Sequence, residues 1–381
     1  MRNRILGVSP TRASQLAFLV AALAILVAHV GAQQKTVVRG PPTCSQCQIR
    51  LDHSVTLDGN RSSEVGEPLT LARMSDGRLL LNTMAGKPWI AVFDSTGKHI
   101  RTIGRRGGGP GEFLTIGRFR VTGKDTLRIF DIGAHRMTVL TSSFALVQTL
   151  PVDIMQTGDL EVLADGRIVA AQNISNVTSA GLPLHIIGKD GKSERSFGAE
   201  NPEYGREDAH LLWRWIAPAG NDRVWAAPVT EYVLELWAFS GQKIRELERN
   251  VSWFKPHKQF GFNRDNPNAP PNPGIMDLRM DSTGKLWVIV HVADEKWTSG
   301  LGNVRGLYNR QVRGITEANN YWDSIIEVID PVAGTLVASQ RFDQVLRWIS
   351  ESAYASAYRQ DATGVPFIDV FRVSLTTNPR R

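Results

Sequence analysis

The chain is predicted to be all-β: a six-bladed β-propeller of four-stranded antiparallel blades, its ring closed by an N-terminal strand. Three observations predict it. Tight-turn sequences rich in Gly, Asp and Asn recur along the chain from SDGR (75–78) to DPVAGT (330–335). The short apolar, β-branched runs between them fall into two alternating kinds, one after a turn and one before it. The last repeating unit is one strand short, and an unpaired strand stands near the other end.

The elements follow in chain order. Arg2, Arg4 and Arg12 precede an apolar run from Leu16 to Val30, and small residues stand before Gln33. That pattern reads residues 1–32 as a signal peptide, with a membrane anchor as the alternative if it is not cleaved. The run is shorter than the ~20 residues of a spanning helix. The reading therefore is an exported protein, periplasmic or secreted, with no stable membrane span after cleavage. Without the three leader arginines the remainder carries +4 rather than +7. So small a charge argues against a nucleic-acid partner.

Residues 33–66 form an N-terminal segment. It holds the only two cysteines, Cys44 and Cys47. In an exported chain this CxxC reads as a local disulfide, with a redox or metal site as the sharper alternative. A second CxxC that would complete a metal site is missing, and Gln48 stands where haem attachment needs His. The run IRLDHSVTL (49–57) is the candidate ring-closing strand.

The propeller spans 67–376, followed by a short tail at 377–381. Runs such as RIVAAQ (167–172) and LWVIVHV (286–292) follow a turn; IAVFD (90–94) and IIEVID (325–330) precede one. Together they give units of four strands, a to d, at 67–113, 114–156, 157–207, 208–262, 272–343 and 344–376. The spacing suits propeller blades. In the last unit FIDVFRVSL (367–375) has no successor, so 49–57 is expected to pair with it and remove an open edge. The fifth unit is enlarged between Val292 and Ser324, and a second long segment occupies 255–274. Long segments of this kind inside a compact domain are usually functional or disordered.

GRRGGGPGEF (104–113) and the following LTIGRFRVTGKDTLRIFDIGAHRMTVL (114–140) resemble the NHL-repeat pattern. Gly109, Pro110, Gly111, Phe113, Asp131, His135 and Arg136 carry the resemblance. It implies a six-bladed propeller of the NHL/TolB-like type found in many exported bacterial proteins. It does not imply one activity, since members bind proteins, RNA or peptides, or act as lyases. The glycines also look like a phosphate-cradling loop, but no helix pattern follows, so a connector between blades is the expected role.

In a propeller the b–c and d–a links gather on one face around the channel mouth, where ligands usually sit. On the strand assignment above that face receives Arg105, Arg106, Asp131, His135 and Arg136. It also receives His210, Trp213 and Arg214, then His257, His291, Asp294 and Trp297. Arginine forks suit carboxylates and phosphates, and tryptophan offers stacking surface. Arg136 with Asp131 also reads as a structural pair. Trp225, Trp237 and Trp287 read as core, and so do Trp213 and Trp215. His257, His291 and Asp294 could hold a metal. The sequence names no cofactor. The leading expectation is a binding module for a small molecule, glycan, peptide or protein. The alternative is a metal-dependent hydrolase, lactonase or lyase at the channel mouth.

Overall fold

The computed structural model describes residues 34–153, 158–171, 181–199, 213–258, 269–297, 321–349 and 352–377. Residues 1–32, read above as a signal peptide, His210 and most of the blade-5 insertion lie outside the described residues. Among the described residues no helix is long and apolar enough to cross a membrane.

Six antiparallel sheets follow one another along the chain. Blade 1 holds β3 (Pro68–Arg73), β4 (Leu79–Thr83), β5 (Ile90–Phe93) and β6 (His99–Ile103). Blade 2 holds β7 (Ile116–Thr122), β8 (Thr126–Asp131), β9 (Arg136–Leu140) and β10 (Leu146–Pro151). Blade 3 holds β11 (Asp159–Val162), β12 (Ile168–Ala171), β13 (Leu184–Ile187) and β14 (Ser193–Phe197). Blade 4 holds β15 (Arg214–Pro218), β16 (Arg223–Pro228), β17 (Val233–Ala238) and β18 (Lys243–Arg249). Blade 5 holds β19 (Gly274–Met280), β20 (Leu286–Ala293), β21 (Trp322–Asp330) and β22 (Thr335–Phe342). Blade 6 holds β23 (Leu346–Trp348), β24 (Tyr354–Gln360) and β25 (Pro366–Thr377).

The fourth strand of blade 6 comes from the N-terminal side. It is β2 (Cys47–Asp58), which runs antiparallel to β25 from Cys47 opposite Thr377 to Asp58 opposite Phe367. The ring closure expected of 49–57 is therefore present. One strand had no sequence signal: β1 (Gln34–Val38) adds a fifth strand to the outer edge of blade 4, beside β18. Cys44, in the link between β1 and β2, is joined sulfur to sulfur to Cys47 at the start of β2.

The turns work by backbone freedom. Gly77 and Gly97 close blade-1 hairpins with φ of +91° and +82°, a region that β-carbon sterics deny most residues. A Cβ at Gly97 would meet the Thr56 carbonyl at 2.6 Å, so the hairpin also needs the glycine to lie against the closing strand.

Each pair of neighbouring blades encloses its own apolar cluster. Leu80 and Val92 meet Phe119 and Ile129 between blades 1 and 2. Phe130 and Val139 meet Leu160 and Ile168 between blades 2 and 3. Trp237 packs between blades 3 and 4, Trp225 between 4 and 5, and Trp287 between 5 and 6, as expected of core tryptophans. Leu57 of β2 joins Ile368 and Leu79 where blade 6 meets blade 1. Burial of this kind contributes roughly 25 cal/mol per Å² of apolar surface and sets the blades at fixed angles around the axis.

Candidate functional site

The first strand of every blade faces the axis, and together these strands line a lumen of about 1970 Å³. Side chains alternate along a strand, but in several blades consecutive first-strand residues border the cavity, as do residues of other strands such as Trp287, Ser356 and Leu375. Matching positions of the six first strands hold Thr70, Arg118, Asp159, Trp215, Asp277 and Arg347, all lining the lumen. Each is followed by a buried apolar residue: Leu71, Phe119, Leu160, Ile216, Leu278 and Trp348.

The order around the ring has a consequence. Blades 2 and 6 flank blade 1 and face blade 4. From there Arg118 and Arg347 reach the Trp215 ring, their guanidinium carbons 5.8 and 5.2 Å from its centroid. Arg118 donates from Nε to the Gly158 carbonyl at 2.6 Å, and Arg347 from Nη1 to the Met276 carbonyl at 2.6 Å. Among the described residues neither guanidinium has a carboxylate oxygen within 4.0 Å. Burial draws both arginines down from their ordinary range, Arg347 to about 10. Trp215 and Trp348 each keep a buried indole N–H with no acceptor among the described residues.

The carboxylates of the ring are held differently. Asp159 accepts from Arg120 at 2.9 Å and from the Ile216 N–H at 3.0 Å, and so links blades 2, 3 and 4. Asp277 accepts from the N–H groups of Leu278 and Trp348, both at 2.9 Å, and so links blades 5 and 6. Burial, and then the charge of Asp159, push the Asp277 carboxyl up to about 7. One level further along, Arg279 lies over the rings of Trp348 and Trp287 at 4.6 and 5.2 Å. The arrangement is an apolar-walled tube with guanidinium groups turned inward, a geometry that suits an anion carrying a flat or apolar body.

Of the candidate ligand residues expected at the channel mouth, His291 and Trp213 line this lumen among the described residues, and Trp215 and Trp287, expected in the core, line it too. His291 is buried, its Nε2 lies 2.9 Å from the Leu346 carbonyl, and burial and then Arg347 push it down to about 3, so it is neutral. His257 meets the Pro273 carbonyl at 2.6 Å, so the two histidines and Asp294 are each occupied separately. Arg105 is exposed and paired with Glu112 at 2.8 Å, and Arg106 is exposed. Asp131 accepts from the N–H groups of Leu114 and Thr115, and Arg136 donates to the carbonyls of Gly108 and Glu112. These two residues pin the glycine-rich connector to blade 2. His135 is exposed, with a positive φ of 49°. Trp297 is half-buried and lies outside the lumen. Trp213 is not core as expected but 56% exposed, and Trp215 faces the lumen.

The residues expected at the channel mouth lie mostly on loops, whereas the ring residues lie within strands. Their signal is present in the strands: RFR (118–120), MDLR (276–279) and LRW (346–348) alternate a charged residue with an apolar or aromatic one.

A family model described as a six-bladed β-propeller, DUF5128, matches residues 54–162. That stretch runs from the end of β2 through blades 1 and 2 and contains the glycine-rich connector. No curated protein matches the chain. Among solved structures, a candidate exported protein of Bacteroides fragilis shares the fold with a TM-score of 0.55 and 12% identity, over 91% of this chain and all of that one. A DUF4221-family protein of Bacteroides vulgatus does so with a TM-score of 0.56 and 10% identity, over 87% of this chain and all of that one. What the chain has in common with both is the architecture, a six-bladed β-propeller.

Proposed function

We propose that the protein is a binding module whose lumen takes a small anionic ligand, a carboxylate or phosphate with a flat or apolar body. The observation that carries this reading is the convergence of Arg118 and Arg347 on Trp215, with no carboxylate oxygen within 4.0 Å of either guanidinium among the described residues, although Asp159 and Asp277 act on both at longer range. A buried guanidinium is costly unless an anion or hydrogen-bond acceptor compensates it, and carboxylate and phosphate oxygens match its fork. The indole face offers stacking surface beside the charge. Binding outside the cytoplasm belongs to the same proposal. It rests on the leader pattern, and the B. fragilis protein of the same fold is itself described as an exported candidate.

Calorimetric titration with inorganic phosphate, succinate, benzoate and indole-3-acetate tests it. At least one is expected to bind, and Arg118→Ala and Arg347→Ala are each expected to weaken binding at least about tenfold. That corresponds to losing one charge-assisted hydrogen bond of roughly 1.5–3 kcal/mol. Saturable binding unchanged in both variants would refute the lumen as the site.

The pH dependence has a definite sign. Asp277 sits in the ring with Asp159, Arg118 and Arg347, and its carboxyl is raised to about 7. Below that pH it is neutral and the lumen is more positive; above it the ionised carboxylate opposes an anion. Affinity is therefore expected to fall as pH rises through about 7, and Asp277→Asn is expected to flatten the profile. A wild-type profile that rises with pH would contradict the assignment.

A further inference from the structure

A second cluster lies at the roots of the blade-5 insertion, away from the lumen. Asp294 follows the end of β20, Asp323 stands near the start of β21, and Asp343 follows β22. Three separate chain segments thus converge at one corner of the blade. One carboxylate oxygen from each residue lies within 4.8 Å of the other two. Asp294 and Asp323 are buried, and Asp343 opens to solvent.

Acidic clusters are common, but Asp323 makes this one different. Its side chain is 4% exposed, and its Oδ2 accepts from Arg341 at 2.6 and 2.7 Å and from the Glu295 N–H at 3.3 Å. Its Oδ1 is buried and has no donor among the described residues. An ionised carboxylate oxygen taken out of water needs a donor or a cation.

The local charge is also unbalanced. Among the described residues the cations paired with the group Asp294, Glu295, Asp323 and Asp343 are Lys296 and Arg341. Arg341 serves Asp323 and Glu295, the latter at 3.4 Å, and Lys296 reaches Asp343 at 3.1 Å on the exposed side. Asp294 spends Oδ1 on the Lys296 N–H at 2.5 Å. Positive charge therefore arrives from the outer side, and the buried oxygen of Asp323 gains none of it through a hydrogen bond.

We propose that Asp294, Asp323 and Asp343 bind a divalent cation of the hard class, Ca²⁺ foremost, that ties both roots of the blade-5 insertion to the end of the outer strand. The donor set is all oxygen, which selects Ca²⁺ or Mg²⁺ over zinc or copper. Ca²⁺–oxygen bonds of about 2.3–2.6 Å put opposite ligands roughly 4.6–5.2 Å apart, and a trio confined within 4.8 Å fits one such shell. Main-chain carbonyls and water would complete the coordination. The cation supplies the partner that the Asp323 Oδ1 lacks among the described residues.

The experiment is thermal unfolding and calorimetry on chelator-treated protein titrated with CaCl₂, for wild type, Asp343→Asn and Asp323→Asn. Asp343 is exposed, so its variant keeps the fold even where Asp323→Asn does not. The expected result is saturable one-to-one binding in the micromolar to millimolar range, with a rise in Tm that Asp343→Asn removes or weakens at least about tenfold. Wild-type protein with neither heat nor a Tm shift at millimolar Ca²⁺ overturns the proposal, as does a response that Asp343→Asn leaves intact. Neither result touches the lumen arginines, so this test and the anion titration stand apart.

Discussion

Replacing Glu327 with Gln is expected to destabilise the protein by roughly 3–5 kcal/mol, read as a drop in the urea midpoint with an unchanged slope. Glu327 lies in β21, and its side chain is 1% exposed. Its Oε2 accepts from the Tyr232 hydroxyl at 2.8 Å and from Arg249 Nε at 2.9 Å. Its Oε1 accepts from Arg249 Nη2 at 2.9 Å and from Ser339 at 3.2 Å. Arg249 ends β18 and also donates to the Val38 carbonyl of β1 at 3.3 Å. One carboxylate thus joins blade 5 to blade 4 and to the strand added at its edge. Glutamine keeps the shape but leaves Arg249 buried without its counter-charge, and it puts an amide N–H₂ where an acceptor is needed. The two side chains are too buried for solvent to screen the loss. Replacing both partners, Arg249→Met with Glu327→Leu, is expected to recover most of the stability, because no charge is then stranded. A single variant within about 0.5 kcal/mol of wild type, a range typical of surface substitutions, would show that the pair is not a keystone between the blades.

The fold was legible because its information is repeated. Nine turn sequences and six sets of apolar runs restate one blade, so an error in any one hairpin leaves the count intact. The closing strand was legible for a related reason: FIDVFRVSL lacked an outer neighbour, and IRLDHSVTL had the length and alternation to supply it. β1 was not legible. A five-residue strand with no hairpin beside it has no local signature, and only the edge of β18 gives it a partner. The candidate site was harder for a different physical reason. Arg105, Arg106 and His135 are loop residues that solvent and local pairs account for, while Arg118, Trp215, Asp277 and Arg347 sit inside first strands, Trp215 having read as core. What separates lumen from core is the closure of six strands around one axis, a property of the assembled ring rather than of any stretch of sequence. Asp131 and Arg136 show the converse. Their prominence in the repeat pattern comes from holding the glycine-rich connector, which is architecture.

Removing residues 34–58 is expected to abolish cooperative folding, whereas removing 34–46 alone is expected to cost much less. The difference is β2. It pairs with β25 over its whole length and places Ile49 and Leu57, both fully buried, into the clusters on either side of blade 6. Without it the long β25 strand becomes an unpaired edge, and Trp287, Ile326, Ile368 and Leu79 lose apolar cover on one side. Each large buried aliphatic side chain contributes on the order of 2–5 kcal/mol when cut to alanine, so two of them with an entire ladder exceed the usual stability of a domain. An unpaired strand of that length also invites aggregation. The shorter deletion removes β1, whose one buried apolar side chain is Val38, and the disulfide partner Cys44, but leaves the ring sealed. A permuted chain makes the argument sharper. Cys47 stands opposite Thr377, so a Gly-rich turn of about three to five residues can join 377 to 47 and make β2 the natural hairpin successor of β25. A chain running 59–377, then the turn, then 47–58 is expected to unfold cooperatively within a few degrees of the 34–46 deletion. If that permuted chain fails to fold while the deletion lacking 34–58 remains soluble and cooperative, closure by β2 is not what holds the six blades in a ring.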